Sequence, residues 1–219
     1  MNKNTQDDPY LPYYNGDFLG QQRPSSSMPK LSRFFRKNKV TKILDLYCGA
    51  GRNSIFLSKE GFDVYGFDRS QLAIKRAKES QTRANTDVVF RVLEYQNKLP
   101  YEDGSFDAVI VIRALYQARI QKIKQDIEEI CRVMKIGGYL YLESDQQGIW
   151  KARRSYGQIR TSERRTYVHS DGSYYHYFTR RELRTFFKGY RIIRFYYKNR
   201  RFYVVYQKAL ECDQRNSKP

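Results

Sequence analysis

The chain has 219 residues, of which 40% are hydrophobic and 29% charged, and its formal net charge is +18. This length fits one α/β domain with extensions and is enough to bury a substantial core. Because no run of 18 or more apolar residues occurs, the sequence predicts no transmembrane helix. The three cysteines are widely spaced and predict neither a disulfide framework nor a metal site. Together with the polar start of the chain, these features predict a cytoplasmic protein.

The first two thirds of the chain alternate between apolar strands and amphipathic helices. Residues 1–29 are rich in proline and serine and are predicted to form a flexible arm. After a short helix over 30–38, apolar periodicity predicts strands over 42–47, 63–67, 87–93, 106–112 and 138–144, and helices over 52–60, 70–80 and 117–135. This alternation predicts βαβ units that form a parallel sheet with right-handed crossovers.

The region over 145–178 is predicted to form an inserted hairpin on the substrate side of the domain. The pair Asp171-Gly172 favours a two-residue type I′ turn. In that register, alternation along the two strands predicts one shared face for Tyr167, His169, Tyr174 and His176.

The last part of the chain is predicted to close the sheet. Thr179 and Glu182 fit a capping box, which begins a helix that runs to about Lys188. Two apolar strands over 191–197 and 201–207 follow and are predicted to pair antiparallel. Their connection over 198–201 is strongly basic.

The segment over 43–54 joins an apolar strand to a helix through a glycine-containing turn. Gly49 and Gly51 permit positive φ and close approach of a ligand to the backbone, and the helix start presents unpaired N–H groups. The next strand ends at Asp68, 17 residues after Gly51. An acidic residue at this offset commonly binds the two hydroxyls of a nucleoside ribose.

This strand–turn–helix–strand–acid unit resembles motif I and the following acidic motif of class I S-adenosylmethionine (SAM) methyltransferases. The segments over 99–109 and 128–140 are similar to later motifs of that family. Residues 51–54 and 176–183 resemble its tellurite-resistance subset.

The resemblance implies a fold, a cofactor and a domain organisation. The fold is an α/β, Rossmann-like class I methyltransferase fold, with a mostly parallel seven-stranded sheet, an antiparallel last strand and helices on both faces. The cofactor is SAM. Residues 30–208 form the methyltransferase domain, residues 1–29 are a flexible arm or a cofactor lid, and residues 209–219 are a disordered tail.

The resemblance also implies which residues hold the cofactor. Asp45 organises the turn and can reach the methionine amino group, Asp68 binds the ribose hydroxyls, and Arg113 follows the fourth strand near the methyl donor. The complete implied set is Asp45, Tyr47, Gly49, Gly51, Asn53, Asp68, Arg69, Glu94, Tyr95 and Arg113.

Tyr47 departs from the family pattern, because it occupies the position of the first glycine of the turn. Two interpretations stay open. RNA uridine methyltransferases often carry tyrosine at this point, so the residue is compatible with cofactor binding. Alternatively, the turn needs no positive φ at residue 47.

The catalytic assignment rests on two histidines. The sulfonium of SAM is already a reactive methyl donor, so the protein chiefly aligns a nucleophile, and a general base is needed only for a poor one. His169 and His176 are candidate bases because their intrinsic pKa lies near neutrality, although each also suits a structural hydrogen bond of the ribbon. No Asn/Asp-Pro-Pro-Tyr/Phe motif follows the fourth strand, and none of the three cysteines is placed as a nucleophile for uridine C5 chemistry.

Charge divides the candidate functions. Residues 151–208 contain 16 basic and only 3 acidic side chains, which indicates either an anionic partner or a solvated surface. The first hypothesis is methyl transfer to a small-molecule acceptor, which this charge would allow to be anionic. The second is an RNA methyltransferase that binds RNA through residues 151–208. The third, prompted by Tyr47, is a non-catalytic SAM-binding protein.

Overall fold

A computed structural model describes residues 23–92, 98–145, 159–170 and 172–209. Seven strands form one sheet in the order β3-β2-β1-β4-β5-β10-β9, and three short strands form a second sheet in the order β6-β7-β8. The strands are β1 (Lys42–Leu46), β2 (Asp63–Asp68), β3 (Val88–Val92), β4 (Phe106–Ile112), β5 (Met134–Asp145), β6 (Ile159–Arg160), β7 (Thr166–Val168), β8 (Tyr174–His176), β9 (Tyr190–Lys198) and β10 (Arg201–Lys208). The helices are α1 (Met28–Lys37), α2 (Arg52–Lys59), α3 (Gln71–Ala84), α4 (Ile120–Val133) and α5 (Arg180–Phe186).

The large sheet confirms the predicted fold class. Strands β1, β2 and β3 pair in parallel, whereas β10 is antiparallel to both β5 and β9. By contacts the chain divides into two compact units. Among the described residues, the first unit comprises 23–92 and 106–110, and the second comprises 98–105 and 111–209.

The first unit begins with α1, whose apolar side chains Leu31, Phe34 and Phe35 are buried. The helix starts at Met28, two residues earlier than the apolar spacing predicts, because Pro29 occupies its first turn, where proline needs no N–H partner. Strands β1 and β2 carry mostly buried side chains, as strands covered on both faces do. Helix α3 is capped by the Ser70 hydroxyl, which accepts the Ala73 N–H at 3.2 Å.

The second unit contains the aromatic core of the later chain. Tyr141, Tyr177, Phe178 and Tyr206 are almost completely buried. The predicted capping box is present: the Thr179 hydroxyl accepts the Glu182 N–H, and the Glu182 carboxylate accepts the Thr179 N–H. Strand β5 starts directly after α4, at Met134, four residues before the predicted start of this strand.

The register of the β7–β8 hairpin differs from the prediction by one residue. Tyr167 pairs with Tyr175, and His169 and Ser173 bracket the connection through a 2.9 Å hydrogen bond. The connection is thus three residues long rather than two, and it uses Gly172 at φ 79°, which is the geometry of a longer glycine-containing loop. Because a one-residue slip moves side chains to the opposite face, His169 and His176 lie on opposite faces, and the prediction of a shared face is wrong.

Of the cysteines in the described ranges, Cys48 is a free, buried thiol, and Cys131 is buried on α4. Within the described ranges, no helix has both the length and the apolar character needed to cross a membrane.

Candidate functional site

The turn after β1 forces three residues into the left-handed region. Tyr47, Gly49 and Gly51 have φ values of 63°, 57° and 80°. Glycine adopts this region freely, but a side chain makes it costly, by about 1–2 kcal/mol. The interpretation that residue 47 needs no positive φ is therefore wrong. Tyr47 adopts the glycine conformation and bears its strain.

Asp68 ties the end of β2 to this turn. One oxygen of its carboxylate accepts the Gly49 N–H at 2.8 Å, and the other accepts the Ser70 N–H at 3.0 Å. The side chain is buried. Asp68 thus holds both the turn and the start of α3, and its binding of the ribose stays a prediction.

Asp45 is a buried carboxylate in the last part of β1. It accepts a hydrogen bond from the Ser54 hydroxyl, in the first turn of α2, at 2.6 Å. Burial raises its pKa to about 7, the Ser54 hydrogen bond opposes this rise, and the negative charge of Asp68 adds to it. Near neutral pH the side chain is therefore poised between its protonated and ionised forms.

Tyr47 is held by Arg69, the residue that follows Asp68. The Arg69 guanidinium lies over the Tyr47 ring, 4.8 Å from its centroid, and donates a hydrogen bond to the phenolic oxygen at 2.8 Å. A cation–π contact and a hydrogen bond each contribute about 0.5–1.5 kcal/mol in such settings. Together they offset the backbone strain at Tyr47.

Gly51 is required by packing as well as by its φ. A Cβ at residue 51 would lie 2.6 Å from Cζ of Phe90, and a Cβ at Gly66 would lie 2.6 Å from the same ring. Phe90 therefore fills a notch between two glycines. The sequence motif identifies Gly51, but Gly66 and Phe90 have no signal other than their strand positions.

Asn53 connects α2 to the segment before α1. Its Oδ1 accepts the Ser25 N–H at 2.9 Å, and the Asn53 side chain is buried. Ser25 was part of the predicted arm, and this contact places it at the first turn of the helix that follows the glycine turn. The predicted adenine neighbours Glu94 and Tyr95 lie outside the described residues.

Arg113 lies in the second unit, directly after β4. Its backbone is left-handed, with φ 58°, and its N–H donates to the Glu143 carbonyl at 2.8 Å. The Nε atom of its guanidinium is buried and has no hydrogen-bond partner among the residues that the structure describes. Strained backbone and an unsatisfied donor thus coincide at one residue, and such coincidences concentrate at functional sites.

His176 is completely buried in a polar network. Its Nδ1 lies 2.9 Å from the Thr166 hydroxyl, and its Nε2 lies 3.6 Å from the Glu182 carboxylate. Glu182 also pairs with Arg165. Burial lowers the pKa of His176, against the opposing effect of the Glu182 charge. The ring contacts other core side chains, so its geometry is that of a structural histidine.

His169 occupies the other face of the hairpin. Its ring stacks on Tyr175 with centroids 4.1 Å apart, and it is half-buried. Of the two predicted bases it is the more accessible. The structure does not bring the two histidines into one constellation.

A family model described as a methyltransferase domain matches residues 37–184. The chain belongs to this family. The cofactor is SAM, as the resemblance of the sequence motifs implies. The residues of the turn fit that cofactor, because SAM carries an ammonium and a sulfonium, and a nearby cation favours the ionised form of a carboxylate such as Asp45.

Two curated relatives match part of the chain. It is 30% identical over 99 residues to a probable SAM-dependent methyltransferase, TehB, of Haemophilus influenzae, covering 45% of this chain and 34% of the relative. It is 34% identical over 92 residues to a tRNA (uracil(54)-C(5))-methyltransferase of Pyrococcus horikoshii, covering 41% and 22%. The chain thus spans about a third or less of the length of these two relatives.

A solved structure extends the similarity over most of the chain. It is that of a SAM-dependent methyltransferase from Methanosarcina mazei, with a TM-score of 0.69 and 28% identity, covering 78% of this chain and 93% of that one. The predicted resemblance to SAM methyltransferases, including the tellurite-resistance subset, is confirmed.

Proposed function

We propose that the protein transfers the methyl group of SAM to an anionic small-molecule acceptor. The observation that carries this proposal is Arg113, which combines a left-handed backbone with a buried Nε that lacks a partner among the described residues. A guanidinium pairs with carboxylate and phosphate groups through two parallel hydrogen bonds. An acceptor with such a group would satisfy this donor.

The cofactor supplies an electrophilic methyl group when bound. The residues of the turn would hold the cofactor. Asp45 would contact the cationic amino group of SAM, and Asp68 would contact its ribose hydroxyls. The task of the chain is then to orient the acceptor, because alignment of two reactants accounts for much of the rate of such transfers. Arg113 is the residue proposed to do this.

Uridine C5 chemistry is not part of the proposal, although one relative carries that name. This chemistry needs a nucleophilic thiolate. Burial raises the pKa of the Cys48 thiol well above its usual value, and the negative charge of Asp45 adds to the effect. Cys131 is buried on α4. The described cysteines therefore offer no accessible thiolate.

The proposal is tested by transfer of label from methyl-labelled SAM to a total-metabolite fraction and to a total-RNA fraction. We expect label in the anionic metabolites. Arg113→Gln should raise the acceptor KM at least tenfold, as expected when a charge-assisted hydrogen bond worth about 1.5–3 kcal/mol is lost. Lys124→Gln, which removes one exposed positive charge from α4, is the matched control and should change nothing.

Calorimetry with S-adenosylhomocysteine separates the roles of the residues. Arg113→Gln should leave cofactor affinity unchanged, and Asp68→Ala should abolish it. A loss of cofactor affinity in Arg113→Gln would assign Arg113 to the cofactor instead. Label in RNA alone would favour an RNA acceptor, and label in neither fraction would favour a non-catalytic SAM-binding protein.

A further inference from the structure

The outermost strand of the large sheet, β9, presents a basic and aromatic surface. Alternate residues of a strand share one face and lie about 7 Å apart. The pairing of β9 with β10 sets Tyr196 opposite Tyr203 and Lys198 opposite Arg201. We call this surface the arginine–tyrosine face: Arg194, Tyr196, Lys198, Arg201 and Tyr203.

The centre of this face is a pair of stacked rings. The Tyr196 and Tyr203 rings lie 5.0 Å apart between centroids and only 8° from parallel. Tyr196 is 44% exposed, so a large part of its side chain is open to solvent. A tyrosine hydroxyl is neutral at physiological pH and does not repel an anion; burial raises the pKa of Tyr196 further, and the neighbouring Tyr203 adds to this.

Positive charge prevails on the two strands that carry these rings, although the buried Glu143 of β5 pairs with Tyr203 and shares their face. No acidic residue occurs between Glu182 and Glu211, whereas that interval holds eight lysines and arginines. Arg201 is balanced by the buried Asp145, at 2.8 Å. Arg194 and Lys198 are exposed and flank Tyr196 on its own strand. The surface therefore combines positive charge with an aromatic platform.

These observations favour a polyanion that carries flat rings. A second copy of this chain would add its own β9 edge against this one, but the two edges would then oppose like charges, which destabilises pairing. Unpaired bases stack on aromatic side chains while basic groups contact the phosphates, and the loops and ends of RNA present such bases.

We propose that the arginine–tyrosine face is a docking surface for single-stranded RNA. Binding here would be tolerant of sequence, because every base has a flat face and the phosphates are alike. The proposal does not depend on the proposed methyl acceptor, since docking requires neither cofactor nor transfer.

The test is fluorescence anisotropy of a labelled single-stranded RNA of about 15 nucleotides, titrated with the full chain without cofactor at several salt concentrations. Tyr196→Ala should weaken binding about tenfold, and Tyr196→Phe should retain it because the ring remains. Arg194→Gln with Lys198→Gln should weaken binding and reduce the slope of log K against log salt by about 1.4, or about 0.7 for each lost phosphate contact.

The matched control is Lys75→Gln with Lys78→Gln, which removes the same charge from the exposed surface of α3. Equal losses of RNA affinity in the two double variants would mean that binding depends on the overall positive charge rather than on this face, and would overturn the proposal. So would equal affinity of Tyr196→Ala and the unchanged protein. Three other outcomes would assign the face to another partner. These are tighter binding to DNA of the same sequence, binding only to phosphatidylserine vesicles, and a dimer that becomes more stable in the Arg194→Gln, Lys198→Gln variant.

Discussion

Asp45 and Asp68 are buried carboxylates at the same turn, but their surroundings differ. Asp68 accepts two backbone N–H groups, which fix its place in the fold. Asp45 accepts the Ser54 hydroxyl, and burial raises its pKa to about 7. Asp68 therefore has a structural role first. The protonation state of Asp45, in contrast, can shift toward the ionised form when a cationic ligand binds.

The affinity for SAM should depend on pH through Asp45. A pKa of about 7 leaves the side chain mostly protonated at about pH 6, and a cation binds the ionised form better. Affinity should therefore rise about tenfold from about pH 6 to about pH 8. Calorimetry with SAM measures it, and Asp45→Asn should bind weakly with no such rise.

The same pKa has the opposite consequence for stability without ligand. The folded state holds a proton on Asp45 up to about pH 7, whereas the unfolded chain loses it near the ordinary pKa of 3.8. The stability that this group contributes is thus present at low pH and falls as pH rises from about 4 to about 7.

For the affinity prediction, a pH-independent SAM affinity in the unchanged protein would contradict the assignment of Asp45 to the cofactor.

At the turn, residue type was easier to interpret from the sequence than residue conformation. The acid–turn–acid spacing predicts Asp45 and Asp68 as cofactor ligands; the structure places both carboxylates at the turn, and their role toward the cofactor stays a prediction. The φ of Tyr47 was not predictable, since tyrosine rarely adopts the left-handed region. Its compensation comes from Arg69, 22 residues later in the sequence, and local propensity contains no such information.

The hairpin shows the same limit at the scale of an element. Asp171-Gly172 favours a two-residue turn, but the observed register buries Tyr175 and His176 together with Tyr167 and Thr166. Burial of these side chains and the Thr166–His176 hydrogen bond depend on the tertiary structure. Tertiary packing therefore overrides the local turn preference and separates the two histidines.

The contact between β2 and β3 depends on a missing side chain. Gly66→Ala should lower the free energy of unfolding by about 1–3 kcal/mol, because the new Cβ would lie 2.6 Å from the Phe90 ring. In the Phe90→Ala background the same change should cost less, since the ring is gone and only the Cys48 Sγ, 3.1 Å from the new Cβ, remains close. Denaturant unfolding of the four proteins measures this coupling. Equal costs in the two backgrounds would show that the strain arises elsewhere.

At the scale of the whole molecule, the sequence predicts fold better than partner. Apolar periodicity located the strands of the large sheet to within a few residues, apart from the start of β5, because burial on a regular element repeats along the chain. Charge does not repeat in this way. A net charge of +18 gives the overall electrostatic potential of the protein but no binding site. Only the pairing of β9 with β10 shows which basic residues share a face with aromatic rings.

The net positive charge should make the thermal stability of the protein depend on salt concentration. Like charges repel more strongly in the compact state than in the unfolded chain, and raising NaCl from about 0.01 M to about 0.1 M shortens the screening length from about 30 Å to about 10 Å. The melting temperature should therefore rise by about 2–4 °C, which corresponds to about 1 kcal/mol for a chain of this size. Calorimetric scans measure it, and sodium sulfate at equal ionic strength shows whether anions also bind. A melting temperature that falls with NaCl would mean that ion pairs such as Arg201–Asp145 outweigh the net repulsion.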